Sequence, residues 1–215
     1  DQRLNHSLNG VKLRSMDDEF NESDKKPKKR KGPRKATAKY LENSAAHYLG
    51  RFATSKSHLR QIMMQKVRRS EMHHGTDPTE GAGFIDVIIE KFERLGFLDD
   101  PAYAAMRARG LYTKGTPVKG IRFKLMQKGL SDDDIDAALL QLEDEVETPN
   151  LDLAAAIRLA RRRRFGPYRS DQSKNEERRD KDMSAMARAG FSYDIVAQVL
   201  DAPSIDELEL QLEQT

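Results

Sequence analysis

The chain has 215 residues, 37% of them hydrophobic and 34% charged, with a formal net charge of +3. That is polar for a single globule and fits a thin array of small helical units, whose surface is large for its volume. With no cysteine, disulfides and Cys-ligated metals are excluded. No apolar run approaches the roughly 18 residues of a membrane span, so a soluble, cytoplasmic chain is expected.

Residues 1–36 are predicted to be disordered, because the run KKPKKRKGPRK from Lys25 to Lys35 combines mutually repelling charges with helix-breaking proline and glycine. Lys25, Lys26, Lys28, Lys29, Arg30 and Lys31 are candidates for tethering phosphates by counterion release, a contact without sequence information. A solvated tail is the alternative.

Thr37 to Phe52 is predicted to be the first helix, with Leu41, Ala45, Tyr48 and Phe52 recurring on one face. A second helix starts at Thr54. Arg68 to Gly83 is expected to be a loop, marked by Gly75, Asp77-Pro78, Gly81 and Gly83. His73 and His74 in it lack companions at ligand spacing, so no metal site is expected. Phe84 to Leu95 is the third helix, with Ile85, Ile88, Ile89, Phe92 and Leu95 facing inward and Gly96 ending it.

In the following LGFLDDPAY segment, Phe97 and Leu98 should pin the turn to the core. Asp100 is expected to cap the next helix ahead of Pro101, which explains the Asp99-Asp100 pair without catalysis. That fourth helix runs to about Lys114, with Tyr103, Met106, Arg107, Gly110 and Leu111 near its inner face.

Thr116 to Val146 writes out a two-helix unit. Thr116 is the expected N-cap, Pro117 the first helical residue, Val118, Ile121 and Leu125 the stripe, and Gly129 the stop. Ser131 and Asp134 then form a capping-box-like start, followed by Ile135, Ala138, Leu139, Leu142 and Val146. After Thr148-Pro149-Asn150 comes a helix over Leu151 to Phe165, with Leu153, Ala156, Ile157 and Ala160 inward. Its four arginines, Arg161 to Arg164, fan through about 300° and cannot all meet one partner. A polar loop from Gly166 leads to a charged helix ending at Ala189, with Met183, Met186 and Ala187 as its apolar face. Phe191 and Tyr193 lead into a helix with Ile195, Val196, Val199 and Leu200, and Ser204 and Glu207 open an acidic tail helix carrying Ile205, Leu208 and Leu212. Nothing alternates as a strand would, so no sheet is expected.

Sliding the chain by about 62 residues lays TSKSHLRQIMMQK from Thr54 over TPVKGIRFKLMQK from Thr116, matching Arg60 with Arg122 and Met64-Gln65-Lys66 with Met126-Gln127-Lys128. Sliding forward sets Gly129-Leu130-Ser131 against Gly190-Phe191-Ser192. The expected organisation is a basic tail over 1–36, helical repeats over 37–98, 99–147 and 148–202, and an acidic tail helix over 203–215. There is no glycine-rich phosphate loop, HExxH, GxSxG or cysteine nucleophile, so neither an enzyme nor a cofactor is expected.

The segments LRQIMMQK from Leu59, LGFLDDPAYA from Leu95, GIRFKLMQKGLS from Gly120 and AGFSYDIVAQVL from Ala189 together resemble the RecX family, bacterial regulators of the RecA recombinase. The resemblance covers about residues 37 to 202, and RRRRFGPYR from Arg161 is similar to alphaproteobacterial versions. It implies an all-α fold, an elongated, curved array of three tandem three-helix repeats. It also implies binding along the groove of the RecA filament on DNA, limiting ATP hydrolysis, strand exchange and repressor co-cleavage. The basic tail, the 68–83 segment and the acidic end depart from the family pattern.

If the apolar stripes hold the fold, outward cations are the partner candidates: Arg60 and Lys66, then Lys119, Arg122, Lys124 and Lys128, then Arg161, Arg162, Arg163, Arg164 and Arg169. Such a surface would meet acidic protein or DNA phosphate in a salt-sensitive way. The expected partners are the RecA filament and single- or double-stranded DNA, bound by a monomer. The alternative is a nucleic-acid-binding helical module that needs no recombinase.

Overall fold

The computed structural model describes residues 32–214 except 147 and 149, with side chains up to residue 210. Ten α-helices and two short 3-10 turns, with no strand, make up the ordered structure among the described residues. Of the tail over 1–36 predicted to be disordered, residues 1–31 with the cations Lys25 to Lys31 lie outside the described residues, and so does the side chain of the stripe position Leu212.

Helix α1 (Ala38–Leu49) is capped by Thr37. Phe52, expected on its stripe, is instead 51% exposed beyond the helix end, 5.2 Å from Tyr48 between ring centres. Helix α2 (Lys56–His74) starts two residues later than predicted, with Ser55 as N-cap. The expected loop over 68–83 does not exist, because the stripe Leu59, Met63, Val67 continues to the buried Ser70. Ser70 Oγ accepts the Ala36 N–H at 2.8 Å and lies 2.5 Å from Thr76 Oγ1. Only three residues separate α2 from α3 (Pro78–Arg94): Gly75 closes α2 at φ 61°, and Asp77 caps α3 ahead of Pro78. Gly81, inside α3, lies so close to Val67 that an added Cβ would fall 2.5 Å from Val67 Cγ1. Leu95 and Phe97, both predicted inward, are 55% and 63% exposed, and Leu98 alone plugs the core.

Helices α1, α2 and α3 pack on one another around Leu41, Leu59, Met63, Ile85 and Phe92. Each such side chain contributes about 1.5–3 kcal/mol by leaving water. A second trio follows, made of α4 (Asp100–Thr113), α5 (Val118–Met126) and α6 (Asp132–Val146). Asp99, not Asp100, caps α4 by accepting the Ala102 N–H at 2.9 Å. The inner face of α4 is Tyr103, Ala104, Ala108, Leu111 and Tyr112, while Met106, Arg107 and Gly110 are exposed. Pro117 occupies the N-cap of α5 and offers no side-chain bond, so Thr116 does not cap it. Half of the predicted box opens α6: Ser131 Oγ accepts the Asp134 N–H at 3.1 Å and donates to the Asp134 carboxylate at 2.6 Å.

Helix α7 (Leu151–Arg163) is buried almost all round, from Leu151 through Leu153 to Ile157 and again at Leu159 and Ala160, and touches α4, α9 and α10. Helices α8 (Asn175–Ala189) and α9 (Tyr193–Leu200) complete the third group, and Ser192 caps α9. Met186 is fully buried, whereas Ala187, predicted on the same apolar face, is exposed. The acidic α10 (Ile205–Gln214) seats Leu208 at 0% exposure, and α10 contacts α7.

Residues 103–208 supply one continuous apolar cluster and residues 36–98 another. The joint between the first and second trios is therefore polar. Asp100 Oδ1 accepts the Lys56 N–H at 2.9 Å, Ser55 Oγ donates to the Lys128 carbonyl, and Lys128 Nζ lies 3.2 Å from His58 Nε2. The second and third trios repeat one feature of that joint, Asp152 Oδ1 accepting the Val118 N–H at 2.7 Å.

Candidate functional site

An exposed cation serves a partner only if the fold has not already given it a counter-ion, so the neighbours of each candidate decide its availability. Arg60 on α2 pairs with Asp86 on α3, and Arg122 on α5 pairs with Asp136 on α6. The two arginines matched by the 62-residue slide thus do the same thing, tying the second helix of a trio to its third. In the last group Arg179 on α8 clasps Asp201, just past α9, with bonds of 2.7 and 2.6 Å. That clasp holds the Asp201 carboxyl below its usual pKa, chiefly through the Arg179 hydrogen bond.

Other candidates are also engaged. Lys66 lies 5.7 Å from the centre of the Tyr40 ring, within cation–π reach. Lys128 faces His58, whose pKa is lowered by burial and by that ammonium. Arg161 pairs with Glu209 on α10 and sits 5.5 Å over the Tyr168 ring. Arg169 is drawn inward, donating to Asp182 at 2.5 Å and to Asn175 at 3.1 Å. The Asp182 side chain is only 9% exposed, which makes this ion pair a strut of the third group.

The remaining candidates are Lys119, Lys124, Arg162, Arg163 and Arg164, which have no acidic side chain within 4 Å among the described residues. Lys119 and Lys124 flank Phe123 on the outer face of α5, and that ring is 59% exposed. Arg162 and Arg163 line a groove beside the end of α8, while Arg164 caps α7 in the left-handed region at φ 57°. Arg179 and Arg188 are absent from the sequence candidates, since nothing local distinguishes them from other charges on α8; only the packing of neighbouring helices does.

Among the described residues no group of three or more His, Cys, Asp or Glu is placed to hold a metal ion, and no helix is long and apolar enough to cross a membrane. His74, half of the adjacent pair, lies with Nε2 2.7 Å from the Pro33 carbonyl.

Comparison with known proteins gives a consistent result. Residues 99–139 match the family model described as RecX, second three-helix domain. The chain is 37% identical over 178 residues to "Regulatory protein RecX" of Myxococcus xanthus, covering 83% of this chain and 93% of that protein. It is 32% identical over 170 residues to the protein of the same name from Agrobacterium fabrum, covering 79% and 86%. The crystal structure of RecX from Lactobacillus salivarius superposes with a TM-score of 0.50 at 24% identity, covering 80% of this chain and 97% of that one, which supports the fold.

Proposed function

The chain belongs to the RecX family of regulatory proteins, and on that premise we propose that it regulates RecA by binding along the RecA–DNA filament. The carrying observation is the joint made twice over, Asp100 to the Lys56 N–H and Asp152 to the Val118 N–H. One rule of attachment sets successive helix groups in a series, with boundaries near residues 37, 99, 148 and 203. A series of binding units suits a polymer partner, because weak contacts on neighbouring protomers add through effective concentration. Holding protomers in one mutual relation opposes the motion that ATP turnover and strand exchange need.

The contacts fall to Lys119, Lys124 and Arg162 to Arg164, with Lys66 and Lys128 at the margins. Arg60 and Arg122 act mainly as internal straps, and Arg161 and Arg169 are engaged inside the third group.

The test is a titration of the protein into RecA on single-stranded DNA with ATP, followed by the rate of ATP hydrolysis. Progressive inhibition is expected. An unchanged rate, with tight and salt-steep binding to bare DNA, would replace the proposal with a recombinase-independent nucleic-acid module.

A further inference from the structure

The last turns of α7 and α8 present matched triplets at helical spacing: Leu159, Arg162 and Arg163 on one side, Ala185, Arg188 and Ala189 on the other. The two helices stand apart there, and the gap is a groove of about 300 Å³. Leu159 is 7% exposed and forms the floor with the half-buried Phe165; the Arg163 guanidinium lies 5.9 Å from the centre of that ring, and the exposed Arg162 and Arg188 complete the lining. No acidic side chain of the described residues pairs with any of the three, although the neighbouring Arg161 and Arg179 are both paired. The groove is thus a cationic rim over an apolar floor, left open where the fold neutralises its surroundings.

We infer that this groove takes one nucleotide of a single-stranded nucleic acid, with flanking phosphates on Arg162, Arg163 and Arg188 and the base against Phe165 and Leu159. The inference deepens the proposed filament-binding function and rests on it for the presence of DNA. Three features favour this occupant. The volume is at the lower end of small-ligand sites, roughly 300 to 1,000 Å³, and suits one nucleotide. Guanidinium forks match phosphate oxygens in a way that point-like ammonium groups do not. An apolar floor is satisfied by an unstacked base, whereas a duplex would present only phosphate and sugar there. The two helix C-termini oppose an anion with about half a negative charge each, which three full positive charges outweigh.

The experiment measures binding of the full-length protein to a short fluorescein-labelled oligothymidylate by anisotropy across a salt series. An abasic oligomer of the same length and polyglutamate serve as competitors. No recombinase is present, so the outcome is independent of the ATPase titration above: either result can fail without the other. Arg162→Gln with Arg188→Gln should weaken binding about tenfold. It should also flatten the plot of log K against log salt by about 1.4, at about 0.7 for each single-strand phosphate no longer neutralised. Phe165→Leu should leave that slope unchanged and remove the advantage of oligothymidylate over the abasic oligomer. Thermal melting of each variant checks that the fold is intact, and the two exposed arginines make the double variant safe in that respect. Absence of binding by the unaltered protein, an unchanged slope in the double variant, or competition by polyglutamate equal to that by oligothymidylate would each overturn the inference.

Discussion

Asp100, in the first turn of α4, accepts the backbone N–H of Lys56, in the first turn of α2, although 44 residues separate them. Burial pushes the Asp100 carboxyl above its usual pKa, more than the Lys56 N–H and ammonium pull it down. Asp152 makes the same bond to Val118 in the next group. Ser55 still caps α2 when Asp100 is lost, by accepting the His58 N–H, but Pro117 offers α5 no side-chain bond. Asp152→Ala should therefore cost about 1–2 kcal/mol and Asp100→Ala less, with Asp152→Asn recovering most of the loss because its amide oxygen still accepts. Urea unfolding of the three variants checks the order; equal losses for Asp100→Ala and Asp152→Ala would refute it.

Gly115 closes α4 at φ 71°, and an added Cβ would sit 2.6 Å from Leu159 N and 2.8 Å from Ala155 O, both backbone atoms of α7. At Gly129, also left-handed, the obstacle is the movable Ser57 side chain. Gly115→Ala should cost upwards of about 3 kcal/mol, combining left-handed strain with overpacking, and Gly129→Ala about half as much. Denaturation midpoints measured side by side would show the difference, and similar losses at the two sites would contradict it.

Because Arg122 is tied to Asp136, reversing its charge would disturb the α5–α6 contact as well as any interface. Lys119→Glu with Lys124→Glu avoids that complication. The double change should leave the melting temperature within a degree or two while weakening inhibition of RecA ATPase, most visibly at low salt. Arg122→Gln alone should cost at most about 0.5–1 kcal/mol, the range for half-exposed pairs. Full inhibition by the Lys119/Lys124 double variant would remove α5 from the interface.

Arg164 is the one non-glycine residue at positive φ among the described residues. Glycine relieves the clash of Cβ with the following carbonyl, so Arg164→Gly should stabilise the chain by about 0.5–1 kcal/mol. A lower melting temperature would show instead that its side chain supports the fold.

His58 is held below the ordinary histidine pKa by burial and by the Lys128 ammonium, against a raising hydrogen bond from Gln61. The folded chain thus binds this proton less readily than the unfolded one. Its stabilising contribution is present above about pH 6.5 and is lost as pH falls through the lowered folded value. His58→Gln should make stability less steep between about pH 7.5 and pH 5.5. Parallel curves for the two proteins in urea would show that the polar joint does not sense this charge.

What the sequence by itself determined was local. The Thr37, Ser131 and Ser192 starts, the Gly129 and Gly190 stops and the stripes of α1, α3, α6 and α9 depend on residues within a turn or two of each other. Motif order also carried the family resemblance. Even there, 68–83 reads as a loop, because glycine and proline in RRSEMHHGTDPTEGAG outweigh the continuing stripe that ends at the buried Ser70.

Only the tertiary structure decided which charges are spent. Arg122 and Lys124 are alike in sequence, but one faces Asp136 across two helices and the other faces solvent. Asp100 caps a helix far back in the chain, and Arg162, Arg163 and Arg188 share a groove only because α7 and α8 end side by side. Coulomb attraction and hydrogen bonding act over a few ångströms of space, and the distances that matter between these groups are fixed by packing rather than by their separation along the chain.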